Sequence, residues 1–166
     1  MKIAVVYYSL EGNTKFIAGI LADTLRADCI ELKPLHDVNP RGFMKFVTGG
    51  RLVFRKIMPE LAVLEKQPSD YDVVIIGTPV WAFSYAPALR AFFEKNKLTG
   101  KKIAVFCCSG GGKGRALEQM KEKLTGNVII GEQDFVEPLR KRKEESAAKA
   151  RSWAAYLKER IEPESA

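Results

Sequence analysis

Lys2-Ile3-Ala4-Val5-Val6-Tyr7-Tyr8, followed at once by Ser9-Leu10-Glu11-Gly12-Asn13-Thr14-Lys15, is the stretch on which the reading of the fold turns. Its first half is a nearly unbroken apolar run rich in β-branched and aromatic residues, the composition of a strand covered on both faces. Its second half is small, polar and broken by glycine. Beyond it Ile17, Ile20, Leu21 and Leu25 recur at helical spacing, which predicts a helix from about Asn13 to Arg26. Buried strand, tight loop and amphipathic helix together form the opening unit of a parallel α/β sheet.

The same alternation continues downstream. Asp28-Cys29-Ile30-Glu31-Leu32 reads as a short second strand and Asp72-Val73-Val74-Ile75-Ile76-Gly77 as a buried third. Leu89, Phe92 and Phe93 mark a helix ending near Lys97, before a fourth strand at Lys102-Ile103-Ala104-Val105-Phe106-Cys107-Cys108. Leu117, Met120 and Leu124 share one helix face. A fifth strand opens at Asn127-Val128-Ile129-Ile130, with a pause at Gly131 and a resumption through Phe135. The last helix carries Ala147, Ala150, Ala154, Leu157 and Ile161 on its buried stripe. Residues 33–70 break the rhythm: between Pro34, Pro40, Pro59 and Pro68, the residues Phe43, Phe46, Val47, Leu52, Val53 and Ile57 predict a helix interrupted at Gly49-Gly50, lying across the sheet edge or near a ligand. No repeat or linker divides the chain, and one domain over 1–166 is expected.

Bulk properties narrow the function classes. The 166 residues are 46% hydrophobic and 28% charged, ordinary values for a soluble globular protein. No apolar stretch approaches the roughly 20 residues that span a bilayer, and the run at Ile3–Tyr8 meets polar residues too soon for a secretory leader. A cytoplasmic protein without membrane association is therefore expected. Cys29, Cys107 and Cys108 have no metal-ligand spacing, and the adjacent pair points to opposite faces of a strand; they read as packing residues. The formal charge of +7 favours acidic partners or anionic ligands. Nucleic acid is not expected, because the densest basic run, Arg140–Lys143, leads straight into Glu144 and Glu145 as a solvated helix start.

Ligands of open parallel sheets bind beyond the carboxyl ends of the strands, and three unusual loops share that edge here. In Ser9–Lys15, small residues let backbone N–H groups turn inward beneath a helix N-terminus, forming a nest for one phosphate. The hydroxyls of Ser9 and Thr14 and the Asn13 amide add donors. Taken alone, the loop fits a plain helix N-cap at Asn13 equally well. It has neither the nucleoside-triphosphate pattern Gly-x-x-x-x-Gly-Lys-Ser/Thr nor the dinucleotide pattern Gly-x-Gly-x-x-Gly, so a single phosphate monoester such as that of FMN matches best. In Gly77-Thr78-Pro79-Val80-Trp81-Ala82-Phe83-Ser84-Tyr85, three aromatics fall within five residues, a wall suited to a planar heteroaromatic ring. Ser109-Gly110-Gly111-Gly112-Lys113-Gly114 lets the backbone approach a ligand closely.

These residues resemble the flavodoxin family over essentially the whole chain. The family's phosphate loop, roughly Ser/Thr-x-Ser/Thr-Gly-x-Thr, is similar to Ser9, Glu11, Gly12 and Thr14, and its second flavin loop to Gly77–Trp81. The resemblance implies a three-layer α/β sandwich, a five-stranded parallel sheet of order 2-1-3-4-5 with helices on both faces, and FMN between strands one and three. The expected cofactor-binding residues are Ser9, Leu10, Glu11, Gly12, Asn13 and Thr14; Thr78, Pro79, Val80, Trp81, Ala82 and Phe83; and Ser109, Gly110, Gly111, Gly112 and Gly114. Two features depart from the pattern. Glu11 replaces a hydroxyl residue and must turn its carboxylate outward. The third loop has no aromatic, which leaves one ring face open or covered from Phe43–Phe54.

The leading expectation is an electron carrier docking on a redox partner with an acidic face, with no catalytic side chain of its own. The alternative is a reductase that takes NAD(P)H or a quinone at the same flavin. His36, outside all three loops, reads as a surface residue. A receiver-like signalling domain would need acidic residues after strand one and an Asp ending strand three, where only Glu11 and Thr78 stand. The sequence leaves the oligomeric state open.

Overall fold

A computed structural model describes residues 1–38, 41 and 44–162. Pro40, Phe43 and the Phe46 side chain, which entered the reading of residues 33–70, lie outside that description. Five long strands form the sheet: β1 (Ile3–Tyr7), β2 (Asp28–Glu31), β3 (Val73–Trp81), β5 (Lys102–Ser109) and β6 (Val128–Val136). They run parallel in the order β2-β1-β3-β5-β6. Once the two-residue β4 (Ser84–Tyr85) is set apart, this is the expected order 2-1-3-4-5. β4 folds back antiparallel on the end of β3.

The helices are α1 (Asn13–Leu25), α2 (Met44–Phe54), α3 (Pro87–Lys95), α4 (Ala116–Glu122) and α5 (Lys143–Ile161). Strand residues alternate between two cores because successive side chains point to opposite faces. Val5, Ile75 and Phe106 pack with Ile17 and Leu21 of α1 and Trp153 and Leu157 of α5. Val6, Ile76 and Val105 pack with Leu89 and Phe92 of α3 and Leu117 and Met120 of α4. Cys107 and Cys108 are divided between the same two layers. Burial on both faces explains why β1, β3 and β5 read as continuous apolar runs. No described helix is long and apolar enough to cross a membrane.

Several local expectations change. The pause at Gly131 is a bulge: Ile103 pairs with Ile129 and Ala104 with Gly131, so β6 continues through Val136. The break at Gly49-Gly50 is absent, for α2 runs through both glycines and ends at Phe54, leaving Ile57 outside it. The excursion that carries α2 is closed at its base. Pro34 bridges Leu61, Leu35 N–H donates to the Glu60 carbonyl at 2.9 Å, and Ala62 N–H donates to the Lys33 carbonyl at 2.8 Å.

Gly77 and Phe106 are partners on neighbouring strands. The Phe106 ring lies over the glycine so closely that a Cβ there would come within 2.1 Å of Cζ. It also meets Phe135 and Trp153 edge-on, at 6.3 and 6.2 Å between centroids. Gly77→Ala is expected to cost about 1–3 kcal/mol by displacing this ring, read as a lower denaturation midpoint at unchanged m-value. The thiols give a second test. Burial pushes Cys107 up to about 12 and Cys108 higher still, so both stay protonated and unreactive at pH 8. Ellman's reagent should find one fast thiol, the exposed Cys29, in native protein and three after unfolding.

Candidate functional site

Parallel pairing brings the carboxyl ends of β1, β3 and β5 to one edge, where a cavity of about 240 Å³ opens. It joins a shallower depression of about 530 Å³ through Leu10, Glu11, Asn13, Lys45 and Arg140. The resulting groove falls in the size range of small-molecule sites.

The first wall is the β1–α1 loop. Gly12 caps α1 with φ +97°, and no side chain caps it. Asn13 is therefore the first helical residue and not the cap, and its Oδ1 instead accepts the Leu139 N–H at 3.1 Å. The first helical bond is Phe16 N–H to the Gly12 carbonyl, so the N–H groups of Asn13, Thr14 and Lys15 have no intrahelical acceptor. Ser9 Oγ accepts the Gly12 N–H at 3.2 Å, which ties the loop into a turn and leaves the hydroxyl proton free to donate. Thr14 is 1% exposed, and its Oγ1 makes no hydrogen bond among the described residues. The Cys108 thiol beside it is a weak partner and does not meet hydrogen-bond geometry. A buried hydroxyl in this condition costs about 1–3 kcal/mol unless something in the groove accepts from it. Glu11 turns its carboxylate onto Lys45 of α2, which neutralises the acidic residue at the phosphate-type nest.

The second wall is not a free loop. β3 extends through Trp81 and reverses at Ala82-Phe83 into β4, pairing Val80 with Tyr85 and Trp81 with Ser84. Ala82 and Phe83 have φ +46° and +63°, a turn geometry that normally calls for Asn or Gly. Such non-glycine conformations persist only where the surroundings impose them. Here the Phe83 carbonyl accepts the Arg115 N–H at 2.9 Å, and Thr78 Oγ1 accepts the Ala86 N–H at 3.0 Å. Trp81 stands edge-on to Tyr8, 5.6 Å between centroids. Its other neighbour is Gly49, where a Cβ would sit 3.2 Å from the indole Cε3. Tyr8 donates to Asp37 Oδ1 at 2.7 Å; burial, and then that bond, push its phenol well above the ordinary tyrosine range. It remains a neutral prop for the tryptophan.

The third wall is the start of the β5–α4 loop. Ser109 Oγ accepts the Gly112 N–H at 3.0 Å, repeating the Ser9 turn. Of the residues singled out in the sequence, Ser9, Leu10, Glu11, Asn13, Thr14, Pro79, Val80, Trp81, Ala82, Ser109 and Gly110 line the cavity. Gly12, Thr78, Phe83, Gly111, Gly112 and Gly114 do not. Gly12 faces Leu139 and Gly114 packs under Phe83. Thr78 is buried and Phe83 is 80% exposed.

Sequence reasoning missed Lys45, Gly49, Gly50, Cys108, Glu137 and Arg140, which also line the groove. A signal for α2 existed at Gly49, since glycine weakens a helix and the close approach of Trp81 accounts for it there, whereas Gly50 has open space. Arg140 carried no such signal. The basic run was read as a helix start, but α5 begins only at Lys143, and the preceding turn places Arg140 beside the β1–α1 loop. Glu137 is engaged by Lys141 at 3.0 Å; Arg140 has no ion pair among the described residues.

Several solved structures share this architecture. A flavoprotein from Bacteroides uniformis aligns with TM-score 0.75 and 18% identity, over 93% of this chain and 97% of that one. A flavoprotein from Lactobacillus acidophilus, solved in complex with FMN, aligns with TM-score 0.70 and 22% identity, over 86% and 99%. Flavodoxin 1 from Bacillus cereus aligns with TM-score 0.61 and 21% identity, over 95% and 98%. At these identities the likeness establishes the fold. The sequence model described as flavodoxin matches residues 2–143, and the chain accordingly belongs to the flavodoxin family.

Proposed function

We propose that the chain binds FMN in this groove and carries electrons between redox proteins in the cytoplasm. The observation that carries the reading is the Thr14 hydroxyl, buried at the nest with no hydrogen bond among the described residues. A phosphate oxygen is the acceptor that suits it, alongside Ser9 and the N–H groups of Asn13, Thr14 and Lys15. Arg140 supplies a counter-charge from the β6–α5 turn. Pro79–Ala82 and Ser109–Gly110 line the part of the groove left for the ring, with Trp81 as its aromatic wall. Bound there, FMN supplies one- and two-electron redox chemistry.

The side chains around the groove fit a carrier, in which the flavin is the sole redox group. The Cys108 thiol is held protonated by burial, and Glu11 and Glu137 are both paired with lysines. Among the described residues that line the groove, no side chain stands ready as nucleophile or general base. His36 lies outside the groove and is exposed. The net charge of +7 suits a partner with an acidic docking face. A second reading, an NAD(P)H-dependent flavin or quinone reductase, is favoured by one observation: Ser109 and Gly110 bring no aromatic side chain to their side of the groove, which leaves room for a second ring.

Purified protein soaked with excess FMN and desalted should be yellow; a colourless product would end the FMN reading. Trp81→Ala should weaken FMN binding about tenfold or more, the scale of lost aromatic stacking of about 1–3 kcal/mol, whereas Cys108→Ser should change it little. Arg140→Gln should weaken FMN, but not riboflavin, by a few-fold at low salt, as expected for an exposed ion pair worth at most about 1 kcal/mol. Stopped-flow mixing with NADPH decides between carrier and reductase. Slow bleaching supports the carrier, and rapid two-electron bleaching the reductase.

A further inference from the structure

Positions 38–59 contain no Asp or Glu and five cations: Arg41, Lys45, Arg51, Arg55 and Lys56. That segment has a net charge of +5, against +7 for the whole chain. It is the excursion closed at its base by the Pro34–Leu61 bridge, with α2 at its centre. The inner face of α2 is spent on the groove, through Lys45, Gly49 and Gly50. Its outer face carries Met44, Val47, Arg51 and Phe54 at three- and four-residue spacing, one stripe of a helix. Met44 is 65% and Phe54 89% exposed, and Ile57 and Met58 extend the apolar surface beyond the helix end. The side chains of Arg51, Arg55 and Lys56 make no ion pair among the described residues.

We propose that this outer face of α2 and the following turn is the docking surface for an acidic redox protein, one that presents carboxylates around an apolar centre. The proposal rests on the carrier reading and assigns it a surface. Two observations commit it to this occupant. Arg51, Arg55 and Lys56 have no ion pair among the described residues and stand where the apolar side chains are, which is complementary to a mixed acidic and apolar face. The surface is also continuous with the groove, because one helix contributes to both, and a protein docked on α2 sits against the wall of the redox site. A second copy of this chain fits poorly, since it would set Arg51, Arg55 and Lys56 of one copy against the same three cations of the other. A membrane-surface helix carries its cations opposite or flanking the apolar stripe; here Arg51 interrupts the stripe between Val47 and Phe54.

The test uses a fluorescently labelled acidic [2Fe–2S] ferredoxin as the probe. Binding is read by anisotropy, and electron transfer to the FMN-loaded protein by stopped flow. Two variants with equal charge change are compared: Arg51→Glu/Arg55→Glu/Lys56→Glu on the proposed face, and Lys97→Glu/Lys123→Glu/Lys158→Glu near the carboxyl ends of α3, α4 and α5. The first should lower the second-order rate and the low-salt affinity tenfold or more, with a flattened salt dependence; the second should change them less than threefold. Phe54→Gln should weaken binding at high salt as well as low. Equal effects from the two triples, or none from the first, would overturn the proposal. So would co-sedimentation of the wild-type protein with phosphatidylserine vesicles, or self-association that the first triple abolishes. Each sample's flavin absorbance is recorded beforehand. A colourless protein whose ferredoxin binding still responds to the first triple refutes the FMN reading and leaves the docking surface standing.

Discussion

Parallel pairing of β1, β3 and β5 is the constraint on which everything else rests. Parallel strands must be rejoined by crossovers, here helices, and helices on both faces require strands that are apolar on both faces. The runs at Ile3–Tyr7, Val73–Ile76 and Ile103–Cys108 meet that requirement. The same geometry sends all three strands out of the sheet at one edge, so the loops at Ser9, Trp81 and Ser109 meet although 28 to 100 residues separate them along the chain. The contact of Gly77 with the Phe106 ring lies directly beneath that edge.

Above this frame the site is assembled by neighbours that hold one another. Asn13 leaves its expected role as a cap and receives the Leu139 N–H, which draws the β6–α5 turn, and Arg140 with it, to the end of α1. Lys45 pairs with Glu11, and Lys141 with Glu137, so both acidic side chains that line the groove are neutralised. Gly49 lets α2 lie on Trp81, while Tyr8 supports the indole from another side. The strained Ala82-Phe83 turn is held by Arg115 and by the Thr78–Ala86 contact. The cost of that backbone is met by packing and hydrogen bonds outside the groove.

The molecule's charge is unevenly spent. Around the groove most charges are in pairs, as with Glu11 and Lys45 or Glu137 and Lys141, while Arg51, Arg55 and Lys56 stand beside exposed apolar side chains with no ion pair among the described residues. The single helix between them has an inner face shaped by the ligand edge and an outer face shaped by solvent or a partner.

The five parallel strands, the helices between them, the strand order implied by the family resemblance, and the three segments at one edge were legible in the sequence; β4 and the extension of β3 through Trp81 were not. The legible features follow from periodicity and composition, which are local properties of the chain. Legibility failed where a residue's role depends on what lies opposite it. Gly49-Gly50 looked like a break because intrinsic propensity disfavours glycine in helices, and only the Trp81 ring against Gly49 explains why the helix continues. Arg140 looked like part of a solvated run because its neighbours in sequence are charged, whereas its neighbours in space are Leu10 and Asn13. Thr14 looked like one hydroxyl among several; its burial beside the weakly bonding thiol of Cys108, remote in sequence, is what sets it apart among the described residues. Pattern determined the frame, because each element's exposed and buried faces are encoded within a few turns of chain. Long-range contact decided the chemistry of the groove, because the partner that completes or denies each polar group arrives from another part of the fold.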